Sequence, residues 1–128
     1  MTSKHVTLLL IPGMASPGIV YSPLIDCLST NSTITSVPLD FPSVDAIAKN
    51  ADLSPNPLEA DIAAIRHTLV GLIENEQKDV FIMAHSYGGT PALYASQGLW
   101  AYQRAAKGQV GTQYFHHFLS HPPNVTLP

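Results

Sequence analysis

Two short apolar runs separated by a long helical pattern limit what this chain can fold into. His5–Ile11 (HVTLLLI) closes at Pro12-Gly13, and Asp79–Ala84 (DVFIMA) closes at His85-Ser86-Tyr87-Gly88-Gly89. Continuous apolar runs of this length, bounded by turn residues, are the mark of strands buried on both faces, as in a parallel sheet. Between them lies the clearest helix of the chain. Asn56 stands at its N-cap, Pro57 is its first residue and Glu59 lies in its first turn. Leu58, Ile62, Ile65, Leu69, Leu72 and Ile73 then share one face, and the helix is expected to run to about Glu76.

The remaining segments complete the alternation. In Ile19–Leu28, Val20, Leu24, Cys27 and Leu28 recur at helical spacing, which places Cys27 on a buried helix face. Ile34–Leu39 is a weaker strand, and Val44–Pro55 reads as a loop with room for one helical turn, placed to rim a site. Thr90–Gln97 starts a helix with Pro91 in its first turn. Tyr21, Tyr94 and Trp100 are read as core or helix-face aromatics rather than pocket walls, and His67 as a solvated helix residue. The order βαβαβα implies an α/β fold, a three-layer parallel sheet with flanking helices, whose ligands sit at the carboxyl ends of the strands. Ser86 lies at such an end.

Composition narrows the function. The 128 residues suit one compact domain, and 45% of them are hydrophobic against 12% charged. With a net charge of -3 and the six Lys and Arg scattered, there is no basic patch for nucleic acid. The single cysteine, Cys27, permits no intramolecular disulfide and no cysteine metal site, which fits a reducing, cytoplasmic setting. The apolar run before Pro12 is too short for a signal-peptide core or a membrane span, so no membrane partner is expected. Neither a cofactor nor a metal is called for by any pattern in the chain.

Ala84-His85-Ser86-Tyr87-Gly88 is a small-x-Ser-x-Gly pattern between a strand and a helix, a turn too tight for bulky neighbours that leaves its serine hydroxyl exposed. Together with strand one closing in Pro12-Gly13-Met14-Ala15-Ser16 and the Asn56-Pro57 helix, it resembles the first half of an α/β-hydrolase-fold protein. It is most similar to the soluble esterase-like hydrolases of fungal and bacterial secondary metabolism, over roughly residues 5 to 110. The resemblance implies Ser86 as the catalytic nucleophile and the backbone N–H groups of Tyr87 and Met14 as the oxyanion hole. It implies acyl transfer on a small-molecule ester, thioester or similar substrate. His85 packs beside the turn and is not the expected base.

One departure is decisive. The family order is Ser, then Asp or Glu, then His, yet all nine acidic residues precede Ser86. His116, His117 and His121 follow it, but too early to match the family histidine. The reading is therefore residues 1–110 as the N-terminal half of such a domain, and 111–128 as a divergent, poorly ordered tail from outside the ancestral frame. The alternative for the tail is an edge strand over Val110–Phe118. A truncated hydrolase would have little or no activity, poor solubility and self-association through an exposed sheet edge. The other reading is a non-catalytic α/β module that binds a ligand or a partner.

Overall fold

The computed structural model describes residues 5–13, 17–48, 55–108 and 113–118. Four parallel strands form one sheet in the order β2-β1-β3-β4: β1 Val6–Ile11, β2 Ile34–Pro38, β3 Val80–His85 and β4 Gln113–Phe118. The helices are α1 Ser22–Leu28, α2 Pro42–Ala48, α3 Pro57–Val70, α4 Gly89–Ala95 and α5 Ala101–Ala106. The molecule is thus an α/β protein with a parallel sheet and flanking helices.

The central pair, β1 and β3, comes from the two apolar runs, with Leu9 opposite Ile82 and Ile11 opposite Ala84. Thr7, Leu9, Ile11, Val80, Ile82 and Ala84 face α3 and α4 and are fully or almost fully buried. Ile65 and Leu69 of α3 and Ala92 and Ala95 of α4 close over them, with Phe41 and Val44 sealing one end. The helix α3 begins at Pro57 as its sequence signals dictate and continues through one π-helical turn, Gly71–Asn75. Gln77, in the left-handed region at φ 54°, then redirects the chain toward β3. Arg66 joins the two helices of this layer, its Nη1 donating to the carbonyls of Ala95 at 3.0 Å and Gln97 at 2.5 Å beyond the last turn of α4.

The other face of the sheet is less covered. Leu8 and Leu10 of β1 are buried there, but Phe81, Met83 and His85 of β3 are only half-buried, so β3 is not the strand buried on both faces that its sequence suggests. The cover on this side is α1 and the 3-10 turn Gly18–Tyr21 before it. The packed stripe is Tyr21, Ile25 and Leu28; Val20 and Leu24 are 54% and 38% exposed, and Cys27 is exposed. This corrects the buried position expected for Cys27. Apolar residues occupy two adjacent stripes of this short helix, and the sheet takes the one that carries Tyr21.

One segment forms more structure than its sequence announces, and another takes the form of the edge strand that stood as the alternative reading of the tail. Where Val44–Pro55 reads as a loop, Pro42–Ala48 is a helix of two turns; positions 49–54 of that stretch lie outside the described residues. Gln113–Phe118, from the stretch read as a tail, pairs along β3 from Val80 to His85 as an edge strand. Pairing there is made by the backbone, and an edge position tolerates polar side chains that a central strand would not. The last ten residues, 119–128, lie outside the described residues.

Candidate functional site

The site begins with the end of β3. Ala84 is fully buried in the core, where a larger side chain would meet the α3–α4 layer. After His85 the backbone leaves the sheet, and Ser86 takes φ 52°, a left-handed conformation that costs a non-glycine residue about 1–2 kcal/mol. Such strain persists only where the surrounding packing fixes it. One 3-10 turn, Ser86–Gly88, then leads directly into α4.

Gly88 supplies part of that fixing. A Cβ there would collide with the Pro12 carbonyl oxygen and come within 2.8 Å of Ile11 Cγ2, so only glycine allows the turn to lie against the end of β1. Gly13 is held nearly as closely, since a Cβ would meet His85 Nδ1 at 3.1 Å. The two ends of the central strands are in this way locked together. The sequence expectation that Ser86 sits in a turn too tight for bulky neighbours is met in these contacts.

Tyr87 supplies the rest. Its ring stands edge-on to Phe41, with centroids 5.7 Å apart, and its hydroxyl donates to Asp61 Oδ2 at 3.0 Å. Asp61 is fully buried, and Ser43 donates to it twice, from Oγ to Oδ2 at 2.8 Å and from the backbone N–H to Oδ1 at 3.2 Å. A buried carboxylate needs such donors. Burial first, then the hydrogen bond to Asp61 and its negative charge, push the Tyr87 phenol up to about 12.

On the less covered face, the Tyr21 hydroxyl accepts the Gly13 N–H at 3.3 Å and lies 3.2 Å from His85 Nδ1. The hydroxyl has a proton to give and a second lone pair to accept with, so it can pair with Nδ1 in either imidazole tautomer. Burial raises the Tyr21 pKa and the Gly13 hydrogen bond lowers it, with burial the larger effect. Leu10, Tyr21, Leu24, Met83 and His85 line a cavity of about 200 Å³ here. Tyr21 is therefore a pocket wall, contrary to the sequence reading, because the stripe of α1 that packs on the sheet begins with it.

The structure brings Ser86 and Tyr87 together by adjacency on one turn; Met14, the other expected oxyanion donor, lies outside the described residues, as does His121. His85 packs beside the turn as expected, and His67 is exposed on α3. The backbones of His116 and His117 align with Met83 and Ala84. Among the described residues no three His, Cys, Asp or Glu side chains converge to hold a metal ion, and no helix is long and apolar enough to cross a membrane. Sequence reasoning missed Asp61 and Tyr21. For Asp61 the available signal was its spacing, four residues before Ile65 and eight before Leu69 on the buried face. The chain matches no protein-family model, and comparison with curated proteins and with solved structures gave no match.

Proposed function

We propose that the chain carries the nucleophile half of a serine hydrolase of the α/β-hydrolase type, acting on an ester, thioester or similar acyl substrate. The observation that carries this reading is Ser86 at φ 52° at the carboxyl end of a central parallel strand, on a turn held against β1 by Gly88. A serine in ordinary strand-to-helix geometry would need neither the strain nor the glycine. The sheet order, with β3 between β1 and β4, is consistent with the same reading.

In this reading the Ser86 hydroxyl adds to the substrate carbonyl, and the oxygen that becomes negative is held by the N–H of Tyr87 and that of Met14. Each such donor is worth ~3 kcal/mol in the transition state. Collapse expels the alcohol or thiol and leaves Ser86 acylated; water then releases the acid. The proton of Ser86 must pass to a base, and no acidic residue follows Ser86 in these 128 residues to orient a histidine. Turnover by these 128 residues alone is therefore expected to be slow; the second reading is a non-catalytic α/β module built on the same turn.

Incubation with an activated short-chain ester, followed by peptide mapping, tests the proposal. The acyl group is expected on Ser86 and nowhere in Ser86→Ala. Acylation confined to lysines would favour the non-catalytic module.

A further inference from the structure

We propose that Asp61 is a positioning residue for the Ser86 turn: its buried carboxylate ties Tyr87 and the start of α2 to α3, and thereby fixes the backbone that follows Ser86. The inference rests on the hydrolase reading for what the Tyr87 N–H does, while the tie itself is independent of it.

Asp61 occupies a position where the helix pattern calls for an apolar residue, in line with Ile65 and Leu69, and it is fully buried. Burying a carboxylate costs more than burying a leucine of similar size, so the group is not explained by packing alone. Its three donors come from residues 18 and 26 positions away in the chain, Ser43 on α2 and Tyr87 on the turn. Both oxygens are thus used, and one of them, Oδ2, is shared by the Ser43 and Tyr87 hydroxyls.

The geometry makes the turn dependent on this sharing. Tyr87 is the middle residue of a single 3-10 turn whose first residue is strained. Gly88 pins the turn toward β1, and the Tyr87 side chain pins it toward α2 and α3 through Phe41 and Asp61. If the Tyr87 ring swung away, Asp61 would lose a donor while remaining buried, which is unfavourable. The carboxylate therefore penalises any rotation of Tyr87, and with it any reorientation of the Tyr87 backbone. The same oxygen holds Ser43, so the start of α2 and the turn are coupled through one side chain.

The test is amide hydrogen exchange together with fluorophosphonate labelling, on the full chain and on Asp61→Asn, Tyr87→Phe and Ser86→Ala. Three amides report separately: Gly89, whose N–H bonds back to Ser86 and Tyr87; Val44 of α2, whose N–H bonds to Phe41 just before the helix; and Thr7 of β1, whose N–H bonds to Asp79. Tyr87→Phe keeps the ring against Phe41 and removes only the hydroxyl. Exchange at Gly89 is expected to rise about tenfold in both Asp61→Asn and Tyr87→Phe, and at Val44 in Asp61→Asn alone, with Thr7 unchanged. Labelling of Ser86 is expected to slow about tenfold in both variants. Unchanged exchange at Gly89, or an equal rise at Thr7, would overturn the proposal, the second because it marks a general loss of stability. Faster exchange at Gly89 with undiminished labelling would overturn the part that concerns Ser86. If the unaltered chain labels no faster than Ser86→Ala, the hydrolase reading fails, and the exchange pattern alone decides the tie.

Discussion

Gly88 and Pro12 approach so closely that a single added methyl on Gly88 would collide with the Pro12 carbonyl oxygen. Gly88→Ala is therefore expected to destabilise the protein by about 3 kcal/mol or more, because the obstacle is backbone that cannot swing aside. Gly71→Ala is the contrast: no atom lies within 4 Å of a Cβ there, its φ of -58° is helical, and a gain of about 0.5–1 kcal/mol is expected. Urea unfolding of the two variants measures both, and equal effects would mean that the Gly88 contact is not rigid.

Strain at Ser86 separates two substitutions that remove the same hydroxyl. Ser86→Ala keeps a Cβ at φ 52°, and Ser86→Gly relieves it. The glycine variant is expected to melt higher, by about 1 kcal/mol in stability relative to alanine. A lower melting point for the glycine variant would show that the turn is not strained.

Among the described residues, the Thr7 hydroxyl in the buried face of β1 meets no hydrogen-bond partner. Valine has the same shape without the polar atom. Thr7→Val is expected to stabilise by about 1 kcal/mol, as read by a higher urea midpoint, since the desolvation penalty of the hydroxyl is removed.

The Tyr87 phenol, pushed up to about 12 from its ordinary value of 10.0, links stability to pH in the alkaline range. The folded protein keeps this proton where the unfolded chain begins to lose it, so the contribution to stability is complete below about pH 10 and is lost as pH climbs through about 12. The stability difference between the unaltered protein and Tyr87→Phe should shrink over that range. In an ultraviolet titration, Asp61→Asn should lower the midpoint of Tyr87. A difference that stays constant from pH 9 to 12 would contradict the coupling.

What the sequence disclosed was the part fixed by local rules. The strands β1 and β3, the Pro57 start of α3, and the turn with Gly88 are each announced within a few residues by apolar runs, a helix-starting proline or a required glycine. What it concealed depends on contacts between distant residues. The start of α2 has a proline like that of α3, but Ser43 there is held by Asp61, 18 positions further on, a contact that no local pattern near Pro42 shows. The packed stripe of α1 is chosen by the sheet from two apolar candidates, which is why Cys27 is exposed and Tyr21 lines a cavity. Asp61 itself is polar in a stripe of apolar residues, and its meaning is visible only once Ser43 and Tyr87 are beside it. The edge strand β4, by contrast, lies within the Val110–Phe118 stretch for which the sequence already offered an edge strand as the alternative to a tail.

The central claim, that the turn presents Ser86 as a nucleophile, is tested most directly by the rate of fluorophosphonate modification, with the modified residue located by peptide mapping. The expected result is modification at Ser86 at least tenfold faster than at any site in Ser86→Ala, because oxyanion stabilisation by backbone N–H groups survives without a complete triad. Modification no faster than in Ser86→Ala, or spread over other hydroxyls, would contradict it.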